Sequence, residues 1–352
     1  MKISDIDKNL AVESTVGLEN LVWLDVKEAP FSIRGLYQTE KGKPFLRMPE
    51  DIAAAASEGV RWLNTNTAGG RIRFRTNSPR IALKAVMPDN GTMPHITMLG
   101  QSGFDLYRSD GGQYAYAGSF MPGNRHHGYD TWIPTDGKTH TYTVNMPLYD
   151  PVEEVYIGLS ADAEIEAAEP YAYEKPVLYY GSSITQGGCA SRPGNAYQAM
   201  ISRRLDADFV NLGFSGNAKA ETVMCEYLAS LDASVFVCDY DHNAPNADHL
   251  EATHKPLYDI YRRANPDTPI VFVTKPDFHP GTEDVRRREI VLATYPAALA
   301  AGDKKVSFVD GAKLFEGDFA DSCTVDGCHP NDLGFFRMAQ KIGAAVEAAL
   351  KG

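Results

Sequence analysis

The chain has 352 residues, of which 43% are hydrophobic and 23% are charged, as in a folded globular protein. A chain of this length favours two domains over one, because a single hydrophobic core rarely grows so large. The formal net charge is −12 without a block of like charges, which argues against nucleic acid and anionic membranes as partners.

The chain start and the cysteines indicate a cytoplasmic protein. The first 24 residues hold four acidic side chains and no apolar stretch typical of a secretion signal. Five scattered cysteines do not form a disulfide framework, although Cys323 and Cys328 are close enough in sequence to pair. Reduced thiols are the rule in a cytosolic chain. The histidines, His126 and His127 included, lack the spacing of metal ligands, so we expect no metal site.

The first half of the chain is predicted to be β-structure. Residues 71–75 alternate strictly between polar and apolar side chains, as in a half-buried strand. Further short runs, separated by turn residues, cover 81–86, 95–99, 113–118, 139–144 and 155–160. Strands of this kind predict an antiparallel β-sandwich, jelly-roll-like, over residues 1–165. One short helix is expected at residues 49–58.

In the second half, residues 166–352, the pattern of hydrophobic residues changes from short strands alone to strands that alternate with helices. Strand-like runs at 176–180, 207–212, 234–239, 269–274 and 305–310 alternate with helical segments near 195–205, 219–230, 247–264, 283–301 and 332–349. This order predicts a parallel sheet with helices on both faces. An acidic stretch over 162–170, closed by a proline, indicates the domain boundary.

A serine in a small-residue turn follows the first of these strands. The apolar run 176–180 ends in Gly181, Ser182 and Ser183. A serine hydroxyl becomes a nucleophile where a turn exposes it beside a base and beside N–H donors. Near the chain end, Asp326 stands three residues before His329, ahead of the last helix. These two residues can complete a Ser-His-Asp triad.

Two more segments begin where a strand is predicted to end. One contains Gly216 and the other contains Asn243. A backbone N–H and a side-chain amide are suitable donors to an oxyanion. Taken singly, Gly216 is explained as a turn glycine and Asn243 as a helix cap. Together with the serine and histidine segments they indicate a site, because open α/β sheets bind ligands at the carboxyl ends of their strands.

In these four blocks residues 176–350 resemble an SGNH (GDSL-type) hydrolase, whose Ser, Gly, Asn and His match Ser183, Gly216, Asn243 and His329 in order. The chain departs from the family pattern in two places, with Gly-Ser-Ser in place of Gly-Asp-Ser and with residues 241–244 in place of Gly-x-Asn-Asp. Upstream, residues 103–107 read Gly-Phe-Asp-Leu-Tyr, similar to the Gly-x-Asp-Leu-Tyr signature of a branch of bacterial carbohydrate esterases. The resemblance implies a flavodoxin-like three-layer αβα domain preceded by an antiparallel β-sandwich.

The resemblance also implies roles. Ser183 is the nucleophile, His329 the general base and acid, and Asp326 the carboxylate that orients the imidazole. The backbone N–H groups of Ser183 and Gly216 and the amide of Asn243 form the oxyanion hole, and no cofactor is required. Some esterases of this kind use a Ser-His dyad with a backbone carbonyl, which leaves the role of Asp326 open. His242 and His279, each in a loop after a strand, could contact substrate or be plain loop surface.

These residues predict a serine esterase that removes small acyl groups, acetyl foremost, from carbohydrates such as plant-polysaccharide oligosaccharides. Its partner is then a small-molecule or oligosaccharide ester, and neither nucleic acid nor a membrane. The alternatives are an acyltransferase to a hydroxyl acceptor, a non-catalytic glycan-binding protein, and a lipase. A lipase is disfavoured because the loop at residues 187–195 is small and polar rather than an apolar lid.

Overall fold

The structure is a computed structural model that describes residues 14–89, 91–123 and 128–352, so His126 and His127 lie outside the described residues. It divides into two compact units. The first unit comprises Met1–Arg47, Thr65–Ala172 and Ser191–Gly194, and the second comprises Met48–Asn64, Tyr173–Ala190 and Asn195–Gly352. Among the described residues, no helix has both the length and the apolarity needed to cross a bilayer.

The first unit consists of antiparallel strands. In chain order they are β1 (Leu21–Asp25), β2 (Ser32–Arg34), β3 (Arg71–Thr76), β4 (Arg80–Val86), β5 (Phe104–Asp110), β6 (Gln113–Phe120), β7 (Tyr129–Pro134), β8 (His140–Asn145), β9 (Glu154–Ser160) and β10 (Ile165–Glu166). One sheet has the order β1-β9-β4-β7, and the other has the order β10-β3-β8-β5-β6 with β2 also paired to β3.

The two sheets share one hydrophobic core, which is what a sandwich requires. Leu83 and Ile157 from the first sheet and Phe74, Leu106 and Val144 from the second belong to the same buried cluster. Alternate residues of each strand face this core, as the period of two dictates. The predicted antiparallel sandwich is confirmed.

The helices of the first 102 residues differ from the sequence prediction. The single helix expected at 49–58 is two helices, α1 (Glu50–Ala56) and α2 (Glu58–Leu63), and the Ser57 side chain caps the second. The strand predicted at 95–99 is wrong, because α3 (Met98–Ser102) begins there with Thr97 as its cap. Alternation over five residues is too short to distinguish a strand from the edge of a helix.

The Gly-x-Asp-Leu-Tyr segment begins β5, and its glycine and leucine have packing roles. A Cβ atom on Gly103 would lie 2.6 Å from the carbonyl oxygen of Leu99, so the close approach of α3 requires glycine. Leu106 is fully buried in the sandwich core. Both positions therefore serve the fold of the first unit.

The aspartate of the same segment holds a loop of the first unit. The buried Asp105 carboxylate accepts hydrogen bonds from the Arg192 guanidinium (2.7 Å), the Gly194 backbone N–H (2.9 Å) and the Asn145 side chain (2.7 Å). The Tyr107 hydroxyl also accepts from Arg192. A buried carboxylate with three donors is fully compensated, so this residue anchors Ser191–Gly194.

The second unit is a five-stranded parallel sheet with helices. Its strands are β11 (Tyr173–Gly181), β12 (Ala207–Gly213), β13 (Val235–Asp239), β14 (Ile270–Val273) and β15 (Val306–Val309). Its further helices are α4 (Ser183–Gln186), α5 (Tyr197–Leu205), α6 (Thr222–Ser230), α7 (Ala247–Ala264), α8 (Thr282–Ala300) and α9 (Asp332–Lys351). The strand order β12-β11-β13-β14-β15 is that of flavodoxin-like sheets, as expected.

The helices of this unit form two groups. Helix α5 packs against α9, while α6 packs against α7 and α7 against α8. The pair α1 and α2 joins the second group although it lies early in the chain, since Met48, Ala53 and Val60 are fully buried in the same core as Met224 and Leu228. The position of a segment in the sequence therefore does not decide to which unit it belongs.

Three strands end at one level of the parallel sheet. Gly181 at the end of β11 pairs with Gly213 of β12 on one side and with Asp239 of β13 on the other. The segments that follow these strands therefore leave the sheet at the same edge. These are the segments in which Ser183, Gly216 and Asn243 were predicted to form a site.

Candidate active site

The Ser183 turn is a single helical turn bounded by a cap and a glycine. The Ser182 side chain caps α4 by accepting a hydrogen bond from the Ile184 N–H at 3.1 Å. Gly187, with φ of +114°, ends the helix, and its N–H and that of Gly188 both donate to the Ser183 carbonyl. Serine and aspartate are both good N-caps, so the Gly-Ser-Ser departure from the family pattern preserves the turn.

Two glycines allow close approach of the backbone around this turn. A Cβ atom on Gly213 would collide with the backbone nitrogen of Gln186, and one on Gly181 would collide with the carbonyl oxygen of Asp239. The strand ends thus pack directly against α4 and against each other. This contact fixes the Ser183 turn on the sheet.

A buried carboxylate lies beneath the turn. Asp239 accepts hydrogen bonds from the hydroxyls of Thr185 and Tyr197, both at 3.1 Å. Burial, reinforced by the nearby Asp241 carboxylate, raises the pKa of Asp239 well above its ordinary value. The first bond ties α4 to the end of β13 and the second ties α5 to it, and sequence reasoning did not identify this carboxyl group.

The structure brings Ser183, His329 and Asp326 together. Ser183 Oγ lies 2.9 Å from His329 Nε2, and His329 Nδ1 lies 2.7 Å from Asp326 Oδ2. The other oxygen of Asp326 accepts from the backbone N–H groups of Cys328 and His329. Burial would raise the pKa of the Asp326 carboxyl, but the hydrogen bonds from His329 and Cys328 outweigh it and lower this pKa to about 2. The carboxylate is therefore ionised beside the imidazole at neutral pH.

The histidine loop, residues 324–331, is held at its carboxyl end. Its Pro330 carbonyl accepts from the Cys189 N–H at 3.0 Å. Asn331 caps α9, and the Asp332 carboxylate at the first helical position accepts from the Asn195 side chain at 2.8 Å. Asp332 is thus a helix-terminal carboxylate.

Gly216 lies in a loop that is tied to the Ser183 turn. The Phe214 N–H donates to the Gly181 carbonyl at 2.8 Å, and the Ser215 N–H donates to the side chain of Gln186 at 3.0 Å. Gly216 itself has φ of +69° and is exposed. Gly216 therefore follows directly after a residue that is bonded to α4.

Asn243 lies in a short turn, residues 241–244, which we name the oxyanion turn. Arg287 of α8 donates to the Asp241 carbonyl at 2.7 Å and to the Ala244 carbonyl at 2.8 Å. The Lys275 N–H donates to the Asp241 carboxylate at 3.1 Å. The amide oxygen of Asn243 is buried with no hydrogen-bond partner among the described residues. The turn is therefore fixed by neighbours while one end of its amide is left unpaired.

The two histidines expected near the site have different surroundings. His242 Nε2 lies 3.1 Å from the sulfur of Cys328, the residue before His329. Burial, and then the charges of Lys275 and His329, lower the pKa of His242 to about 4. His279 is exposed after β14, and its N–H is bonded to the Asp277 side chain, so its described contacts do not involve the triad.

Sequence reasoning missed Arg287 and the contact of Cys328. Arg287 lies in a run of three arginines, which is typical of a solvated helix face. It shares a buried stripe with Val291 and Thr294, at spacings of four and seven residues, and this periodicity is the signal that could have identified it. All five cysteines, which lie within the described ranges, are free thiols.

Two family profiles together match most of the chain. The GDSL-like lipase/acylhydrolase family matches residues 174–347, and the GxDLY domain, described as the N-terminus of SGNH-hydrolase-type esterases, matches residues 21–165. No curated protein sequence matches the chain significantly. The GxDLY profile spans the strands β1 to β10, and the GDSL-like profile spans nearly all of the parallel sheet with α4 to α9.

Solved structures of similar proteins cover four fifths or more of the chain. A protein from Bacteroides ovatus that is described as a GDSL-like lipase is 32% identical, with a TM-score of 0.85 over 94% of this chain and 98% of its own. A salicylyl acyltransferase from a tetracycline biosynthetic pathway is 19% identical, with a TM-score of 0.77 over 95% and 99%. A family two carbohydrate esterase from Clostridium thermocellum, in complex with cellohexaose, is 15% identical, with a TM-score of 0.58 over 81% and 94%.

The last two structures, at 19% and 15% identity, show a shared fold alone. The first, from Bacteroides ovatus, also shows the family. At 32% identity over nearly the full length of both chains, the Bacteroides ovatus protein is a relative. Together with the profile matched by the parallel-sheet unit, it shows that the chain belongs to the GDSL-like lipase/acylhydrolase family, the SGNH hydrolases, and is a carboxylic ester hydrolase.

Proposed function

We propose that the protein is a serine esterase that removes small acyl groups, acetyl foremost, from carbohydrates such as oligosaccharides of plant polysaccharides. One observation carries the proposal: two hydrogen bonds of 2.9 Å and 2.7 Å run in series from Ser183 through His329 to Asp326. Such a series supplies a nucleophile, a base and an orienting carboxylate.

In the first step Ser183 Oγ attacks the ester carbonyl carbon, and its proton passes to His329 Nε2. Asp326 holds the Nδ1–H of the ring and stabilises the imidazolium that forms. The backbone N–H groups of Ser183 and Gly216 and the amide of Asn243 stabilise the oxyanion. His329 then donates its proton to the leaving sugar hydroxyl, which leaves an acyl-enzyme. Water attacks this ester with His329 again as base and frees Ser183.

The preference for a small acyl group rests on the segment after the nucleophile. Gly187 and Gly188 offer no apolar side chain, and Cys189 and Ala190 are buried, so this segment has none of the exposed apolar surface of a lipid-binding lid. The carbohydrate substrate is suggested by the fold shared with the Clostridium thermocellum carbohydrate esterase, which was captured with cellohexaose.

The test is release of acetate from acetylated xylan, acetylated mannan and an aryl acetate by the wild type and by Ser183→Ala. We expect Ser183→Ala to lower the rate by at least about 1000-fold. Ser230→Ala, on the distant helix α6, is the matched control and should retain wild-type activity. Equal rates for wild type and Ser183→Ala would rule out this serine as the nucleophile.

A second candidate function is acyl transfer to a hydroxyl acceptor. It is favoured by the similarity to a salicylyl acyltransferase over 95% of this chain. The same triad serves both reactions, because they differ only in whether water or another hydroxyl attacks the acyl-enzyme. An assay with an aryl acetate and a sugar acceptor separates them. Acetylated sugar in excess over free acetate would assign the protein to the transferases.

A further inference from the structure

The Cys328 thiol faces a histidine from another loop. Its sulfur lies 3.1 Å from Nε2 of His242, and the two residues are 86 positions apart in the chain. Two other thiols contact the backbone instead: Cys225 contacts a carbonyl oxygen at 3.3 Å and Cys323 contacts one at 3.7 Å. Cys328 is thus paired with a side chain in the site region.

The direction of this hydrogen bond follows from the ionisation of the two groups. Burial raises the pKa of the Cys328 thiol to about 11, so the sulfur keeps its proton at neutral pH. Burial lowers the pKa of His242 to about 4, so its imidazole is neutral. The S–H group therefore donates to the lone pair of Nε2, and the ring carries its own proton on Nδ1.

The bond joins the histidine loop, which carries His329, to the oxyanion turn, which carries Asn243. His242 directly precedes Asn243 in the oxyanion turn, and Cys328 directly precedes His329. Adjacent Cα atoms are fixed about 3.8 Å apart, so a shift of either bonded residue moves its neighbour in the site. The oxyanion turn and the histidine loop are thereby linked through side chains.

We propose that the hydrogen bond between Cys328 and His242 is a positioning contact that fixes the Asn243 amide relative to the His329 imidazole. This inference rests on the proposed esterase function. Transition-state stabilisation depends on the mutual placement of these two groups, and a misplacement of about 1 Å can cost on the order of 100-fold in rate. Cys328 and His242 are positioning residues in this account, because they act through their neighbours.

The test measures kcat and KM for 4-nitrophenyl acetate with the full-length protein. We expect Cys328→Ala to lower kcat by roughly 10- to 100-fold while KM changes little, because binding groups remain in place. Cys328→Ser should recover most of the loss, since its hydroxyl can donate to the same nitrogen. Cys225→Ala, a thiol truncation on α6, is the control and should behave like the wild type.

A double-mutant cycle sharpens the test. If both residues act through one bond, Cys328→Ala combined with His242→Ala should be no slower than the slower single variant. Additive losses, a raised KM with unchanged kcat, or a fully active Cys328→Ala would each overturn the inference. Should Cys328→Ala fail to fold, the test compares His242→Gln, which keeps a hydrogen-bond acceptor, with His242→Leu, which does not. We expect a higher kcat for His242→Gln, and equal kcat values would overturn the inference.

Failure of this inference differs from failure of the proposed function. If the wild type hydrolyses the ester and Ser183→Ala does not, the function stands whatever the Cys328 variants do. If wild type and Ser183→Ala react equally, the function falls, and this inference falls with it.

Discussion

The histidine loop and the oxyanion turn are built in opposite ways. His329 and Asp326 are three positions apart, and their side chains remain 22% and 37% exposed. The oxyanion turn at residues 241–244 is held by groups that are distant in the sequence, namely the buried Arg287, the Lys275 backbone and Cys328. The pair of His329 and Asp326 is therefore formed within a short stretch of chain, whereas the turn that carries Asn243 depends on long-range contacts. Changes in the first should affect catalysis alone, and changes in the groups that hold the second should affect stability as well.

The largest effect is expected for Asp326→Asn. An amide in place of the carboxylate neither fixes the productive tautomer of His329 nor stabilises its positive charge, so kcat should fall by about 10⁴-fold. Because the carboxylate is more than a third exposed, the melting temperature should change little. Steady-state kinetics and thermal unfolding check both parts.

The control for this change is Asp321→Asn. Asp321 is an exposed aspartate shortly before the histidine loop, so this variant should retain activity. A loss below about 10-fold for Asp326→Asn would indicate that a Ser-His dyad suffices, because a true triad carboxylate contributes far more.

Asn243→Ala tests the other region. Loss of one oxyanion donor should lower kcat by about 100- to 1000-fold with a small change in KM. Asn246, three residues after Asn243, caps the N-terminus of α7. Asn246→Ala should instead lower stability by about 1 kcal/mol and leave kcat unchanged. Kinetics that did not distinguish these two asparagines would contradict the assignment of Asn243.

Arg287→Met tests whether the oxyanion turn depends on buried support. It removes the donors to the Asp241 and Ala244 carbonyls, which should cost about 2–4 kcal/mol of stability and also lower kcat. The adjacent Arg286 is 47% exposed in surface ion pairs, so Arg286→Met should cost at most about 1 kcal/mol. Similar unfolding curves for both variants would show that the turn does not need Arg287.

The smallest effect concerns pH and His254, which supports the oxyanion turn from α7. Its Nδ1 lies 2.8 Å from the Thr294 hydroxyl, and its ring stacks on Tyr240, the residue before the turn. Burial lowers the pKa of His254 to about 4 from 6.5. Between these values the unfolded chain binds the extra proton, so the stability contributed by the neutral ring is complete above pH 6.5 and is lost as the pH falls towards 4. The loss is at most about 3 kcal/mol.

The measurement compares wild type with His254→Phe, which keeps an aromatic ring at this position. Relative to the wild type, the variant should gain stability as the pH falls through this window. Burial also raises the pKa of Asp241 to about 6, so the stability contributed by this carboxyl group increases as the pH falls, opposite to that of His254. Because Asp241 is present in both proteins, the comparison between them removes its effect. Parallel stability curves for the two proteins would contradict the buried, neutral state of His254.

The contrast between the two regions also explains what the sequence could predict. Apolar runs bounded by turns are local signals, so the strand ends that carry Ser183 and Asn243 were located within a few residues, and the helix expected at 247–264 agrees with α7 at both ends. Asp326 and His329 were paired by spacing alone. In each case the information lies within a short stretch of chain.

The remaining features depend on long-range contacts that no local pattern encodes. Arg287 lies over 40 positions from the carbonyls that it bonds, and Cys328 is 86 positions from His242. The membership of residues 48–64 in the second unit is of the same kind, since it depends on packing against α6. The error at residues 95–99 had a local cause, because the capping role of Thr97 was overlooked.

The central claim, that Ser183 is a nucleophile activated by His329, is tested most directly by covalent labelling. A fluorophosphonate is incubated with the full-length protein, and the modified residue is located by peptide mass spectrometry. The account predicts one adduct, on Ser183, whose formation slows strongly in His329→Ala because the base 2.9 Å from the hydroxyl is gone. An adduct on another residue, or labelling of Ser183 at an equal rate in His329→Ala, would contradict it.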